Sequence, residues 1–182
     1  MIKDILEQVY YQQFYEYTDD YRAVIDGVTS TTAYANNYNE STLRKFLTET
    51  FYTSAFSDAE RTLLQKYTVK NDLASTGDSS NKYITDATYA ESVFALSKAD
   101  VCNAEYGFAT STGGFNTRTI ASSDFAVDMG VYTYDGSGFW WLRSPFSYYA
   151  NGACCVGNGG IMSGNGVNVD DPGCVPAMVI GL

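Results

Sequence analysis

The groups that could do chemistry in this chain are four thiols, a pair of adjacent aspartates and a run of hydroxyls and amides near the C-terminus. Cys102, Cys154, Cys155 and Cys174 make no CxxC pair and no regularly spaced framework, so spacing alone reads as neither a redox motif nor a disulfide scaffold. Histidine is absent. That removes Ser-His and Cys-His dyads, His-ligated zinc and an imidazole base near neutral pH. If Cys154 and Cys155 lie in a strand they point to opposite faces, one buried and one exposed, and free cysteines most often serve as small buried fillers. Asp170 and Asp171 bring two carboxylates, whereas calcium wants six or more oxygens, and adjacent aspartates are commonly solvated turn residues. With no nucleophile, base and orienter in view, we expect no enzyme, no catalytic residue, no metal and no cofactor.

The tail after Pro145 points to recognition instead. Past Arg143 the only charged side chains are Asp170 and Asp171, and Lys, Glu and Gln are missing altogether. Phe146, Ser147, Tyr148, Tyr149, Asn151, Asn158, Ser163, Asn165 and Asn168 alternate there with glycines and small apolar residues. Tyrosine supplies contact area with few rotors to freeze, and small polar residues adapt their hydrogen bonds, which is the composition of binding paratopes. Gly and Asn are equally at home in plain turns between short strands.

Composition narrows the partners. The chain has 182 residues, enough for one domain with a real core, and carries a formal net charge of −10. Nucleic-acid binding needs clustered Lys and Arg, and no cluster is visible. The N-terminus lacks the basic, apolar and small-residue pattern of a signal peptide, and no run is long enough to cross a bilayer, so no membrane insertion is expected.

The elements that must hold the tail can be traced in order. Ile2, Ile5, Leu6, Val9 and Tyr10 recur at helical spacing and predict an amphipathic helix, docked on its own domain or on another copy. A short strand is expected at Tyr21 to Ile25. Ser41 or Thr42 can cap a helix burying Leu43, Phe46, Leu47 and Phe51. Ser57 and Glu60 have capping-box spacing and start another helix at Asp58, expected to bury Leu63 and Leu64. Residues 70 to 90 read as a long surface excursion, Ser92 to Leu96 as a strand, and Ser97 with Asp100 as the cap of a helical turn. Phe139 to Arg143 is the expected central strand, since aromatics suit a pleated half-buried surface and Pro145 cannot continue the ladder. Trp140 and Trp141 face opposite sides of it, so at least one anchors the core, while Arg143 holds a neighbouring loop through carbonyls or a carboxylate. Cys154 to Val156, Val167 to Val169 and Val175 to Ile180 are further strands. Helices first and strands last make an α+β pattern, with residues 1–37 a helical or irregular extension.

Several motifs in this order resemble a known family. Leu43-Arg44-x-Phe46-Leu47, Phe51-Tyr52-x-x-Ala55-Phe56-Ser57-x-x-Glu60, Val93-Phe94-x-Leu96-Ser97, Trp140-Trp141-Leu142-Arg143-Ser144-Pro145 and Gly173-x-x-Pro176-Ala177-Met178 resemble the landmarks of a C-type-lectin-like domain of gut bacteria and their phages. The resemblance runs from about Tyr38 to the C-terminus and is most specific at the tryptophans. Upstream of Leu43 the family's opening strands are not obvious, and Gly173-Cys174-Val175-Pro176-Ala177 stands where many members have Gly-Val-Arg-Pro-Ala. It implies a C-type-lectin-like fold with N-terminal helices and a C-terminal antiparallel sheet carrying long loops.

Some members look like variable proteins of diversity-generating retroelements, in which copying errors at template adenines rewrite C-terminal codons. Asn-type codons so randomised give Tyr, Ser, Asp, Gly, Cys or Phe but not Lys, Glu, Gln, Trp or Met, a restriction the tail fits. The resemblance then implies a ligand-binding region within 146–174. Its replaceable positions would be Phe146, Ser147, Tyr148, Tyr149, Asn151, Gly152, Cys154 and Cys155, then Gly157, Asn158, Ser163, Gly164, Asn165, Asn168, Asp170 and Asp171. Ala150, Ala153, Val156, Ile161, Val167 and Ala177 would be the frame between them, Met162 would be invariant, and Trp140, Trp141 and Arg143 the scaffold beneath. The implied function is a display protein for a cell-surface protein or glycan, virion-associated or at the cell surface, used as a homo-oligomer for avidity. A carbohydrate-binding module of fixed specificity is the alternative. A formylglycine-generating-type oxidase shares the fold but needs an activated cysteine.

Overall fold

A computed structural model describes residues 10–11, 22–25, 28–169 and 171–181. The protein is mixed α/β, with few short helices and several largely antiparallel sheets. β1 (Tyr10–Tyr11), β2 (Arg22–Ile25) and β3 (Val28–Tyr34) precede the described helices; β2 is the strand expected at Tyr21 to Ile25, and β1 and β3 are additional to it. The amphipathic helix expected over Ile2, Ile5, Leu6 and Val9 lies outside the described residues, and Tyr10 belongs to a strand.

Ser41 accepts the Arg44 N–H and starts α1 (Thr42–Lys45), which widens into a π-helical stretch over Phe46–Phe51 and closes as α2 (Tyr52–Ser54). Leu43, Leu47 and Phe51 are buried along this run, while Phe46 is half-buried. Ser57 and Glu60 form a reciprocal capping box at α3 (Asp58–Arg61). The helix stops there, contrary to expectation: Leu63 is 52% exposed, and Leu64 enters β4 (Leu64–Gln65), drawn out of helix by pairing with Val179 and Ile180.

The stretch from 70 to 90 is more ordered than its polar composition predicts. β5 (Tyr67–Lys70) and β6 (Thr88–Glu91) form a hairpin around α4 (Leu73–Thr76), and Asn71, Ser75, Thr76 and Asn81 are buried. An Arg44–Glu91 ion pair ties the first helix to β6. After β7 (Val93–Ala95), Ser97 and Asp100 exchange side-chain and backbone hydrogen bonds at 2.8 and 3.0 Å. Ser123 caps α5 (Asp124–Asp128). β8 (Thr133–Tyr134) and β9 (Ser137–Gly138) then meet through Asp135 and Gly136, both left-handed as a two-residue hairpin turn requires.

The C-terminal half is strand-rich: β10 (Trp140–Pro145), β11 (Gly152–Val156), β12 (Met162–Gly166), β13 (Gly173–Cys174) and β14 (Pro176–Ile180). The strand expected at Val167 to Val169 is displaced: β12 ends at Gly166, and Val167 is buried just beyond it. The main sheet runs β1-β13-β10-β11-β12, and β4-β14-β7 form a second sheet. Pro145 does end β10, but within the ladder: it sits opposite Ala153, past a register shift from Trp141. Trp140 and Trp141 are both fully buried, and the Trp140 indole N–H donates to the Arg118 carbonyl at 3.2 Å. The core they centre extends from Ala35 and Tyr38 through Phe94 and Leu96 to Val175 and Ala177. Among the described residues no helix is long and apolar enough to cross a membrane.

Candidate functional site

The connection between β10 and β11 carries the most exposed aromatics of the tail, with Tyr148 75% and Tyr149 63% exposed. A flexible loop would gain nothing from such rings, because freezing them on binding costs conformational entropy. This loop is held, and mostly by its backbone. Asn81 Nδ2 donates to the Pro145 carbonyl at 2.8 Å. Asn36 Nδ2 donates to the Tyr149 carbonyl at 3.0 Å, and the Asn36 backbone N–H donates to the Ala150 carbonyl at 3.2 Å. Both asparagines are buried. The Phe146 N–H closes the turn onto the Gly152 carbonyl at 2.8 Å. None of these bonds uses a side chain of the loop itself.

Phe146 is the pivot of the aromatic group. Its ring packs over Gly152 and Gly164, and it meets Tyr148 at 5.2 Å and Tyr149 at 6.1 Å between centroids. Ser147 hydrogen-bonds Asp78. The bonds from Ser80, and from Ser147 after it, hold the Asp78 carboxyl down at about 2.

Other positions implied for the ligand surface divide by burial. Asn158, Ser163, Asn168 and Asp171 are exposed, while Ser147, Asn151, Gly164 and Asn165 are half-buried. Gly152 and Gly157 are buried, and Asp170 lies outside the described residues. The expectation that one of Cys154 and Cys155 faces solvent is corrected: they are 4% and 2% exposed. The core covers one face of β11, and the Phe146 loop folds back over the other. Cys154 Sγ donates to the Pro145 carbonyl at 3.6 Å. Burial pushes both thiols up to about 12, which disfavours the thiolate a nucleophile needs. Among the described residues no group of three or more side chains is placed to hold a metal ion.

Two arginines hold the frame. Arg143, 3% exposed, donates to the Lys70 carbonyl at 3.0 Å, to the Ala95 carbonyl at 2.8 Å and to Asp100 at 2.6 Å. Arg118 is fully buried, and its five N–H groups meet five carbonyls, those of Val101, Ala109, Ser111, Gly113 and Gly160. The guanidinium organises these loops as a bound cation would. Gly160 is fixed beside it, because a Cβ there would overlap the Phe115 carbonyl and its φ is +74°.

Asn36, Asn81 and Arg118 are not apparent in the sequence. The asparagines sit among other Asn, Ser and Thr residues and look like ordinary loop positions. Arg118 did leave a signal, as the lone charge between Glu105 and Asp124.

No curated protein and no solved structure matches the chain. Residues 16–182 match a family described as a domain of unknown function, DUF6273, and the chain belongs to that family.

Proposed function

We propose that this chain is a ligand-binding display protein: a rigid frame up to Pro145 and a contact surface after it whose side chains can be exchanged. One observation carries the reading, namely that Asn36 and Asn81 grip the 145–150 loop through its carbonyls. Bonds to backbone hold whatever side chain the loop bears, so exchange at Tyr148 or Tyr149 leaves the frame unchanged. The buried tryptophans and the long hairpin connection suit a C-type-lectin-like arrangement. The limited set of residue types in the tail suits rewriting of its codons by a retroelement. Such a protein would sit on a virion or cell surface and act as an oligomer, where repeated weak contacts sum to avidity.

The flanking DNA provides the test. A reverse transcriptase gene with a template repeat differing from codons 146–171 only at adenines is the expected result; a flank without them overturns diversification. Binding is tested separately, by exchanging Tyr148, Tyr149 and Ser163 and following ligand capture from target-cell surfaces. Unchanged capture by every variant would place the contact surface elsewhere.

A further inference from the structure

β12 is the last strand of the main sheet, and no described strand pairs with its outer edge. The Gly157 N–H donates to the Ile161 carbonyl at 2.8 Å and the Val167 N–H to the Asn151 carbonyl at 2.9 Å, which brackets the β11–β12 ladder. Antiparallel pairs alternate between bonded and non-bonded, so the backbone groups of Ser163 and Asn165 face β11, and those of Met162, Gly164 and Gly166 face outward. Thr112 takes the Met162 N–H at 3.1 Å, and the Asn165 side chain takes the Gly166 N–H at 3.0 Å. Gly164, in the middle, keeps an outward N–H and C=O with no partner among the described residues.

Proteins blunt such edges with Lys, Pro, bulges or a covering segment. Met162-Ser163-Gly164-Asn165-Gly166 has no charge and no proline, and it pairs with β11 without a register shift. Beside it stands the aromatic group, with Phe146 on Gly164 and the rings of Tyr148 and Tyr149 in solvent. Outward N–H and C=O groups in strand geometry specify their occupant chemically: another extended backbone. Charge narrows it further. The chain carries −10, and the tail adds only Asp170 and Asp171, so its field attracts cationic segments and repels acidic ones.

We propose that the ligand of this surface is an extended, basic polypeptide segment that adds to β12 as a further strand. It exchanges hydrogen bonds with Gly164 and sets its side chains against Tyr148 and Tyr149. The proposal rests on the recognition reading above and deepens it by naming the ligand class.

An array of nine-residue peptides tests it, each alternating Lys or Arg with varied β-branched or aromatic residues. A twin array carries the same peptides N-methylated at every second residue, which removes backbone donors while keeping every side chain. The folded full-length chain is expected to bind members of the first array, to lose at least about tenfold on their twins, and to weaken with added salt. Ser163→Lys, at an exposed position on the edge strand, is expected to lower binding of the same peptides about tenfold with its melting unchanged. Equal binding to the twins, with loss on Tyr148→Ala, overturns strand addition and leaves side-chain recognition standing. Binding to a glycan array but to no peptide overturns the ligand class. Sedimentation showing a dimer that Ser163→Lys dissolves overturns the proposal in favour of a second copy on this edge.

Discussion

The ring of Phe146 occupies the space that a side chain at Gly164 would need, so these two positions act as a unit rather than as two independent contacts. The overlap falls at the base of the ring, where a rotation of its tip gives no relief. Gly164→Ala is therefore expected to displace Phe146 and destabilise the chain by about 1–3 kcal/mol, the usual range for overpacking. In Phe146→Ala the same change should cost much less, leaving a coupling energy of about 1 kcal/mol or more in a double-mutant cycle by urea denaturation. Additive effects would show that the two positions vary freely.

Tryptophan and tyrosine should behave oppositely across Pro145. Trp141 is fully buried, and Trp141→Ala is expected to cost about 3–5 kcal/mol. Tyr148 is 75% exposed, and Tyr148→Ala should change stability by no more than about 0.5 kcal/mol while altering binding. Two mutants that melt alike would put the boundary between frame and surface somewhere other than Pro145.

The asparagine clamps give a local prediction. Asn81→Ala leaves the buried Pro145 carbonyl with the weak Cys154 thiol as its only donor among the described residues, and should cost about 1–3 kcal/mol. Hydrogen exchange in residues 145–151 should accelerate more than exchange in the β4-β14-β7 sheet. Asn36→Ala should act on the same segment, from its other end. If exchange rises equally everywhere, the asparagines stabilise the fold without positioning the loop.

How far these features can be read in the sequence depends on whether their cause is local. The Ser57–Glu60 capping box and the Ser97–Asp100 exchange involve residues three apart, so spacing reveals them. Adjacent tryptophans before a proline mark a buried strand because few other settings suit two indoles. Leu64 departs from the helical pattern because its fate depends on Ile180, far along the chain, and nothing in the 58–64 pattern encodes that pairing. Cys154 departs from the alternation because one face is left open only where nothing folds back over it, and Cys154 lies opposite Gly164 on the face that the Phe146 loop closes. Asn36 and Asn81 act through carbonyls of distant residues, a relationship invisible to composition and periodicity. Gly164 was legible as a turn-type residue and not as the floor beneath a ring.

Arg118 should be intolerant even of lysine. Its five donors match five carbonyls in a fixed fork, and an ammonium has three donors on a flexible stem. Arg118→Met is expected to cost at least about 3 kcal/mol, since several buried carbonyls lose their donors at once. Arg118→Lys should recover only part of that. Proteolysis reports the location, with cleavage expected first between residues 107 and 116, the segment the guanidinium gathers. A stable, protease-resistant Arg118→Met would show that the loops hold themselves.

The thiols supply a pH signature whose sign follows from their burial. Desolvation raises Cys154 and Cys155 from 9.0 to about 12 and pushes Cys174 higher still. In the unfolded chain each loses its proton near 9, while in the folded chain it keeps it, so the folded state binds more protons in that window. Their stabilisation is therefore complete below about pH 9 and declines as pH rises towards 12. Urea midpoints between pH 8 and 11 should fall accordingly, and Cys154→Ala and Cys155→Ala should each make the fall shallower. Iodoacetamide at pH 8 should modify Cys102, which is half-exposed, well before the three buried thiols, which become reactive on unfolding. Labelling of Cys154 as fast as Cys102 in the native chain, with Cys174 still protected, would mean that the Phe146 loop opens faster than the reagent acts, and that the rings it carries are not a fixed contact surface.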